Sequence, residues 1–110
     1  MSYCMPVKSD ESRLYAAVAS LTCQRAECPG GCGHVQVAHS NQLRDGKGRG
    51  IKAYPWRVAA LGERCHFELD QGATLTKQER RDQWDEAHRR TVGELFSRGL
   101  VRPVDWKSLP

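Results

Sequence analysis

Cys23-Gln24-Arg25-Ala26-Glu27-Cys28-Pro29-Gly30-Gly31-Cys32-Gly33, followed at once by Val35-Gln36-Val37-Ala38-His39, is the stretch on which the fold turns. Its first part cannot continue a helix past Pro29 and Gly30, because proline removes a backbone donor and clashes with the preceding turn. It reads as a loop that brings three thiols close in sequence. Its second part alternates apolar and polar residues, the period of a strand with one buried face, and His39 stands at the strand's end.

A tetrahedral structural zinc takes four soft ligands from two chain segments that meet in space. Cys23, Cys28 and Cys32 offer one side and Cys65 the other. The position three before Cys65 is Gly62, so the second segment carries a single cysteine. Four alternatives stand: Cys32 is the fourth ligand, the site is three-coordinate, it borrows His34, or the thiols are buried and hold nothing. Clustered thiols in a reducing compartment hold metal more often than they form disulfides. The fifth cysteine, Cys4, reads as a free thiol near a loose end.

Outward from this centre, Met1 to Lys8 lacks periodicity and includes Pro6, which suggests an extended start. Ser9 reads as an N-cap for a helix from about Asp10 to Leu21, with Asp10 and Glu11 in its first turn and Leu14, Ala17, Val18 and Leu21 at helical spacing. Trp56 to Leu61 is either a returning strand or the end of a turn. Cys65 to Asp70 reads as a short helix stopped by Gly72. The best-signalled element lies near the C-terminus: Thr76 and Glu79 form a capping box, Trp84, Ala87, Thr91, Leu95 and Phe96 recur on one face, and Gly99 supplies a stop. The charged residues of that helix read as its solvated face.

The chain has 110 residues, 39% hydrophobic and 27% charged, with a formal charge of +4, which suits one domain of modest core that a metal would help to hold together. We expect a single domain over residues 1–110, with its core at about 20–100. No apolar run approaches the length of a membrane span, and the first residues lack the pattern of a secretory leader, so the sequence reads as an intracellular, non-membrane protein.

Three groups of residues could carry chemistry. His39 and Asn41, then His66, follow one another as His, Asn, His, and phosphodiester hydrolysis needs a base for water and a cation on the phosphate. His39 can be the base and Asn41 can orient it. His66 and Asp70, four apart, share one face of a helix and can ligate a divalent cation. In the segment between, Asp45-Gly46-Lys47-Gly48-Arg49-Gly50-Ile51-Lys52 leaves the backbone open to close approach, and Arg44, Lys47, Arg49 and Lys52 suit a phosphate chain. The spacing is not that of a P-loop.

Together, Ala38-His39-Ser40-Asn41, Gly46-Lys47-Gly48-Arg49-Gly50-Ile51-Lys52-Ala53, Ala59-Ala60-Leu61 and Cys65-His66, with Glu68-Leu69-Asp70-Gln71-Gly72, resemble a phage-encoded group of HNH-type nucleases related to the Ref recombination-enhancement nuclease. The resemblance extends over about residues 20 to 100. It implies an α+β fold with a ββα-metal core and a zinc knuckle, flanked by an N-terminal helix and a longer C-terminal one. It further implies DNA cleavage with Mg²⁺ or Mn²⁺, a structural Zn²⁺, and a phage or prophage origin, hence the cytoplasm of a bacterial host. Carried over by position, it makes His39 the general base, His66 and Asp70 the catalytic-cation ligands, and Cys23, Cys28 and Cys65 zinc ligands. The chain departs from the pattern at Gly62, where a cysteine is usual, and at Ala38, where many such enzymes carry a metal-binding Asp or His. The expected function is therefore a DNA endonuclease or nickase. A non-catalytic, zinc-stabilised DNA-binding module or recombination accessory protein is the principal alternative, and a domain meeting an acidic protein partner is a third.

Overall fold

The computed structural model describes residues 7–40 and 57–100. Its elements follow in the order α1 (Val7–Ala19), β1 (Val35–His39), β2 (Val58–Gly62), α2 (Glu63–Gln71) and α3 (Lys77–Ser97). The two strands pair antiparallel, with Val35 opposite Gly62 and His39 opposite Val58. This is a small α+β arrangement. No helix among the described residues is long and apolar enough to cross a membrane.

The pleat of a strand sends alternate side chains to opposite faces, and both faces of this small sheet are covered. On one, Ala38, Ala59 and Leu61 pack with Cys32, Cys65, Leu69, Trp84 and Ala87 from the knuckle, α2 and α3. On the other, Val58 and Ala60 pack with Leu14, Val18 and Leu21 of the N-terminal part and Leu95 of α3, and Val35 and Val37 border them. Every residue of β2 is consequently buried, which suits its run Val58-Ala59-Ala60-Leu61-Gly62 better than a half-exposed strand would. Of the two readings of the Trp56–Leu61 stretch, the strand is the one formed, beginning at Val58.

A buried strand must satisfy its outer backbone groups. Those of β2 find partners that are not strands: the Gln24 N–H donates to Ala60 O at 2.8 Å, the Ala60 N–H donates to Thr91 Oγ1 at 3.0 Å, and His88 Nδ1 donates to Val58 O at 2.7 Å. The last two come from α3, where His88 and Thr91 lie on the stripe that also buries Trp84, Ala87 and Leu95.

The helix ends obey local rules, with one exception. At α3, Glu79 N–H donates to Thr76 Oγ1 at 3.0 Å and Thr76 N–H to Glu79 Oε1 at 2.8 Å, the expected capping box. The far end closes with Gly99 at φ 69° and with Gly99 N–H to Phe96 O and Leu100 N–H to Leu95 O bonds, the paired bonds of a Schellman motif. Gly72 ends α2 as expected, since a Cβ there would meet Glu68 O at 2.5 Å. α2 itself begins at Glu63, two residues before the expected Cys65.

The exception is α1. It begins at Val7 and ends at Ala19, so it takes in Val7 and Lys8, which the sequence reading leaves extended, and Ser9 lies inside the helix rather than at its cap. Pro6 immediately precedes the first helical residue, the neighbourhood where proline's fixed φ favours a helix start. At the other end Leu21 stays in the core, but its N–H bonds to Val18 O, three residues back, and Ser20 Oγ donates to Ala17 O at 2.6 Å, a tight turn that closes the helix early.

Candidate metal centre and adjoining histidines

The four thiols that the sequence scatters over 43 residues, from Cys23 to Cys65, converge. The sulfurs of Cys23, Cys28, Cys32 and Cys65 all lie within 4.8 Å of one another, and all four are free thiols. A tetrahedral zinc with bonds of about 2.3 Å sets its sulfurs about 3.8 Å apart, so this donor set fits such an ion with little closing. Cys32 is the fourth member; His34 is exposed and outside the group.

Gly62 explains how Cys32 reaches the cluster. A Cβ built on Gly62 would stand 2.1 Å from Cys32 Sγ. The sulfur therefore fills the volume that a side chain at 62 would take. Backbone bonds hold the knuckle in the same place: Cys32 O accepts from Arg64 N–H at 2.8 Å and His34 O from Glu63 N–H at 2.9 Å. Since Gly62 brings no side-chain cap to α2, these carbonyls satisfy donors that a helix start leaves open. They thus seat the knuckle on the turn that carries Cys65.

The thiols differ in electrostatic setting. The Gly30 N–H, 3.4 Å from Cys28 Sγ, holds the Cys28 thiol below its ordinary value, whereas burial raises Cys32. Burial pushes Cys65 up to about 12, against the opposing effect of a hydrogen bond from Arg25. Arg25 is a residue that sequence reasoning missed. It sits between Cys23 and Cys28 and is buried, with Nη1 3.6 Å from Cys65 Sγ and 2.6 Å from Glu68 Oε1, and with Nε donating to Gln83 Oε1 at 2.8 Å. Burial works against its charge, yet the bonds to Cys65 and Glu68 hold the guanidinium above its ordinary value. A lone arginine between cysteines carries no sequence signal of this reach. His88 is a second such residue: it lies one helical turn after Trp84, and the two rings stack 5.4 Å apart.

The histidines are placed as follows. His39 ends β1, exposed, with Nε2 3.1 Å from Tyr15 Oη of α1. His66 lies on α2 with Nδ1 2.7 Å from Gln36 Oε1 of β1. Because an amide oxygen only accepts, Nδ1 carries the proton in a neutral ring and Nε2 is the nitrogen left to ligate. Gln36 and Ala38 share one face of β1 while His39 shares the other with Val35 and Val37, so the two imidazoles meet opposite faces of the strand. Asp70 follows His66 by one helical turn; its backbone oxygen accepts from Arg80 Nη1 at 2.8 Å. Among the described residues, the four cysteines are the group of three or more ligand-type side chains that could hold a metal. Asn41, Arg44, Lys47, Arg49 and Lys52, like Cys4 and Trp56, lie outside the described residues.

Comparison of the chain with protein-family models, with curated proteins and with solved structures finds no match.

Proposed function

We propose that this chain is a metal-dependent DNA endonuclease or nickase of HNH type, whose ββα frame is braced by Zn²⁺ on Cys23, Cys28, Cys32 and Cys65. The observation that carries the reading is the frame itself. β2 runs into α2 without a break, α2 returns against β1 through the His66–Gln36 hydrogen bond, and His39 stands exposed at the strand exit. A strand, a connection rich in basic residues, a strand and a helix carrying histidine form the order in which such an enzyme presents base, phosphate contacts and cation ligand.

In this mechanism His39, whose Nε2 lies 3.1 Å from Tyr15 Oη, takes a proton from water. His66, oriented by Gln36 with Nε2 unprotonated, and Asp70 one turn on would hold Mg²⁺ or Mn²⁺. Such a cation supplies charge neutralisation at the scissile phosphate and leaving oxygen. Arg44, Lys47, Arg49 and Lys52 contact the DNA backbone and add affinity that falls with salt.

A second reading, a zinc-stabilised DNA-binding module without catalysis, is favoured by one observation. Ala38, buried on the face of β1 that meets α2, offers no ligand beside His66, and His39 is turned to the other face. Plasmid nicking with Mg²⁺ or Mn²⁺ separates the two. We expect wild-type cleavage and a loss of about 10²–10⁴-fold in His39→Ala, the usual contribution of a general base. A wild type that binds DNA but leaves the plasmid closed refutes the nuclease and supports the second reading.

A further inference from the structure

Why Arg25 is buried is a question that the fold alone does not answer. An arginine side chain fixed in one rotamer gives up much of its conformational entropy, and burying its charge costs more unless that charge is used. Its side chain is 8% exposed. One donor, Nε, reaches Gln83 of α3, while Nη1 is shared between the carboxylate of Glu68 and the sulfur of Cys65. Glu68 is the more solvated partner, with its side chain 38% exposed, so water screens its charge as it cannot screen a charge at Cys65, which is 2% exposed.

Four thiolates around a divalent ion form a doubly negative centre, and here two of the four cysteines are buried. From outside the four cysteines, the donors that reach these sulfurs among the described residues are the Gly30 N–H on Cys28 and Arg25 on Cys65. Only the second is charged. A hydrogen bond from an ionised donor to an ionised acceptor is about twice as strong as a neutral one. The Nη1–Sγ contact, long and weak for a thiol, therefore gains most when Cys65 becomes a thiolate on a metal.

Resting on the four-cysteine metal reading and independent of the nuclease, we infer that Arg25 is a positioning residue of the metal centre: its guanidinium offsets thiolate charge at Cys65 and so raises affinity for a divalent ion, with Glu68 competing for the same Nη1. Glu68 and Arg25 then have opposite effects on metal affinity, although they are partners in one salt bridge. A mere clamp between knuckle and helix would weaken alike on losing either residue.

The test is chelator competition for Zn²⁺, with the spectrum of the Co²⁺-substituted protein, on wild type, Arg25→Gln, Arg25→Lys and Glu68→Gln, each checked for native helix content by circular dichroism. Arg25→Gln should bind Zn²⁺ about 10–100-fold more weakly, the range for loss of an outer partner of a metal ligand. Its sulfur-to-cobalt charge-transfer band should move to lower energy, because a sulfur relieved of a donor gives up its electron more readily. Glu68→Gln should bind at least as tightly as wild type, with the band unmoved or shifted to higher energy. Arg25→Lys, which keeps the charge without the fork, should fall between wild type and Arg25→Gln, and decides the matter if Arg25→Gln does not fold. Unchanged affinity and band in both Arg25 variants, or equal weakening in Glu68→Gln and Arg25→Gln, overturns the inference and leaves the metal centre standing. A wild type with no thiolate-to-cobalt band overturns both.

Discussion

At position 62 the backbone is extended, at φ −66° and ψ 161°, a conformation open to any residue, so steric room rather than backbone strain demands glycine. Cys32 Sγ would lie 2.1 Å from a Cβ there, and Cys32 Cβ and O each 3.2 Å. Gly62→Ala must therefore move the sulfur by more than an ångström or move the strand. We expect it to lower bound zinc to well below one equivalent, as Cys32→Ser should, by elemental analysis of protein purified without chelator; full occupancy in Gly62→Ala would refute the coupling. The sequence displays Gly62 and Cys32 as two unrelated oddities, a glycine where a ligand is usual and an extra cysteine in the knuckle. Only the antiparallel register, which sets Gly62 opposite Val35, just after the knuckle, makes them one feature. Arg25 was illegible for a similar reason: its partners Glu68 and Gln83 are 43 and 58 residues away.

Elements whose ends are set by their own residues were the readable ones. The capping box of α3 and the glycines after α2 and α3 act within a few residues, and β1 follows from its alternation. α1 departs from the same reading because Ser9 is a good cap that the chain does not use: the helix begins two residues before it, directly after Pro6. What α3 does for β2 was also invisible, since nothing local marks Thr91 as a backbone partner. Thr91 Oγ1 accepts from Ala60 N–H at 3.0 Å and donates to Ala87 O at 2.7 Å, fully buried. Thr91→Val keeps the shape and removes the acceptor, leaving a buried N–H unpaired at a cost of about 1–3 kcal/mol. Urea denaturation should show that loss with an unchanged m-value; a variant as stable as wild type would mean that water or a shifted backbone replaces the hydroxyl.

For the molecule as a whole, the cysteine centre joins the segment after α1 to the start of α2, with both strands between. Zinc bound there would stabilise the folded chain by mass action and be lost with chelation, so EDTA should lower the melting temperature. The chelated protein should respond to alkali in a defined sense. Burial raises Cys65 from 9.0 to about 12, so the folded chain holds this proton more tightly than the unfolded one. Its contribution is complete below pH 9, falls as pH rises toward about 12, and is gone above. Melting of chelated protein across that interval should fall more steeply in wild type than in Cys65→Ser; parallel curves would show that another group governs the alkaline limb. The backbone bond with the widest reach closes the open end of the β1–β2 pair: where the strands part toward residues 41–56, Ser40 N–H donates to Arg57 O at 3.0 Å, the Ser40 residue being 1% exposed. The intervening segment is thus latched at its root by main-chain atoms, whatever its own composition. Doubling the length of such a closed segment costs only about 0.6 kcal/mol, so the scaffold can accept a longer, shorter or differently charged cassette between Ser40 and Arg57 without a change in what holds it.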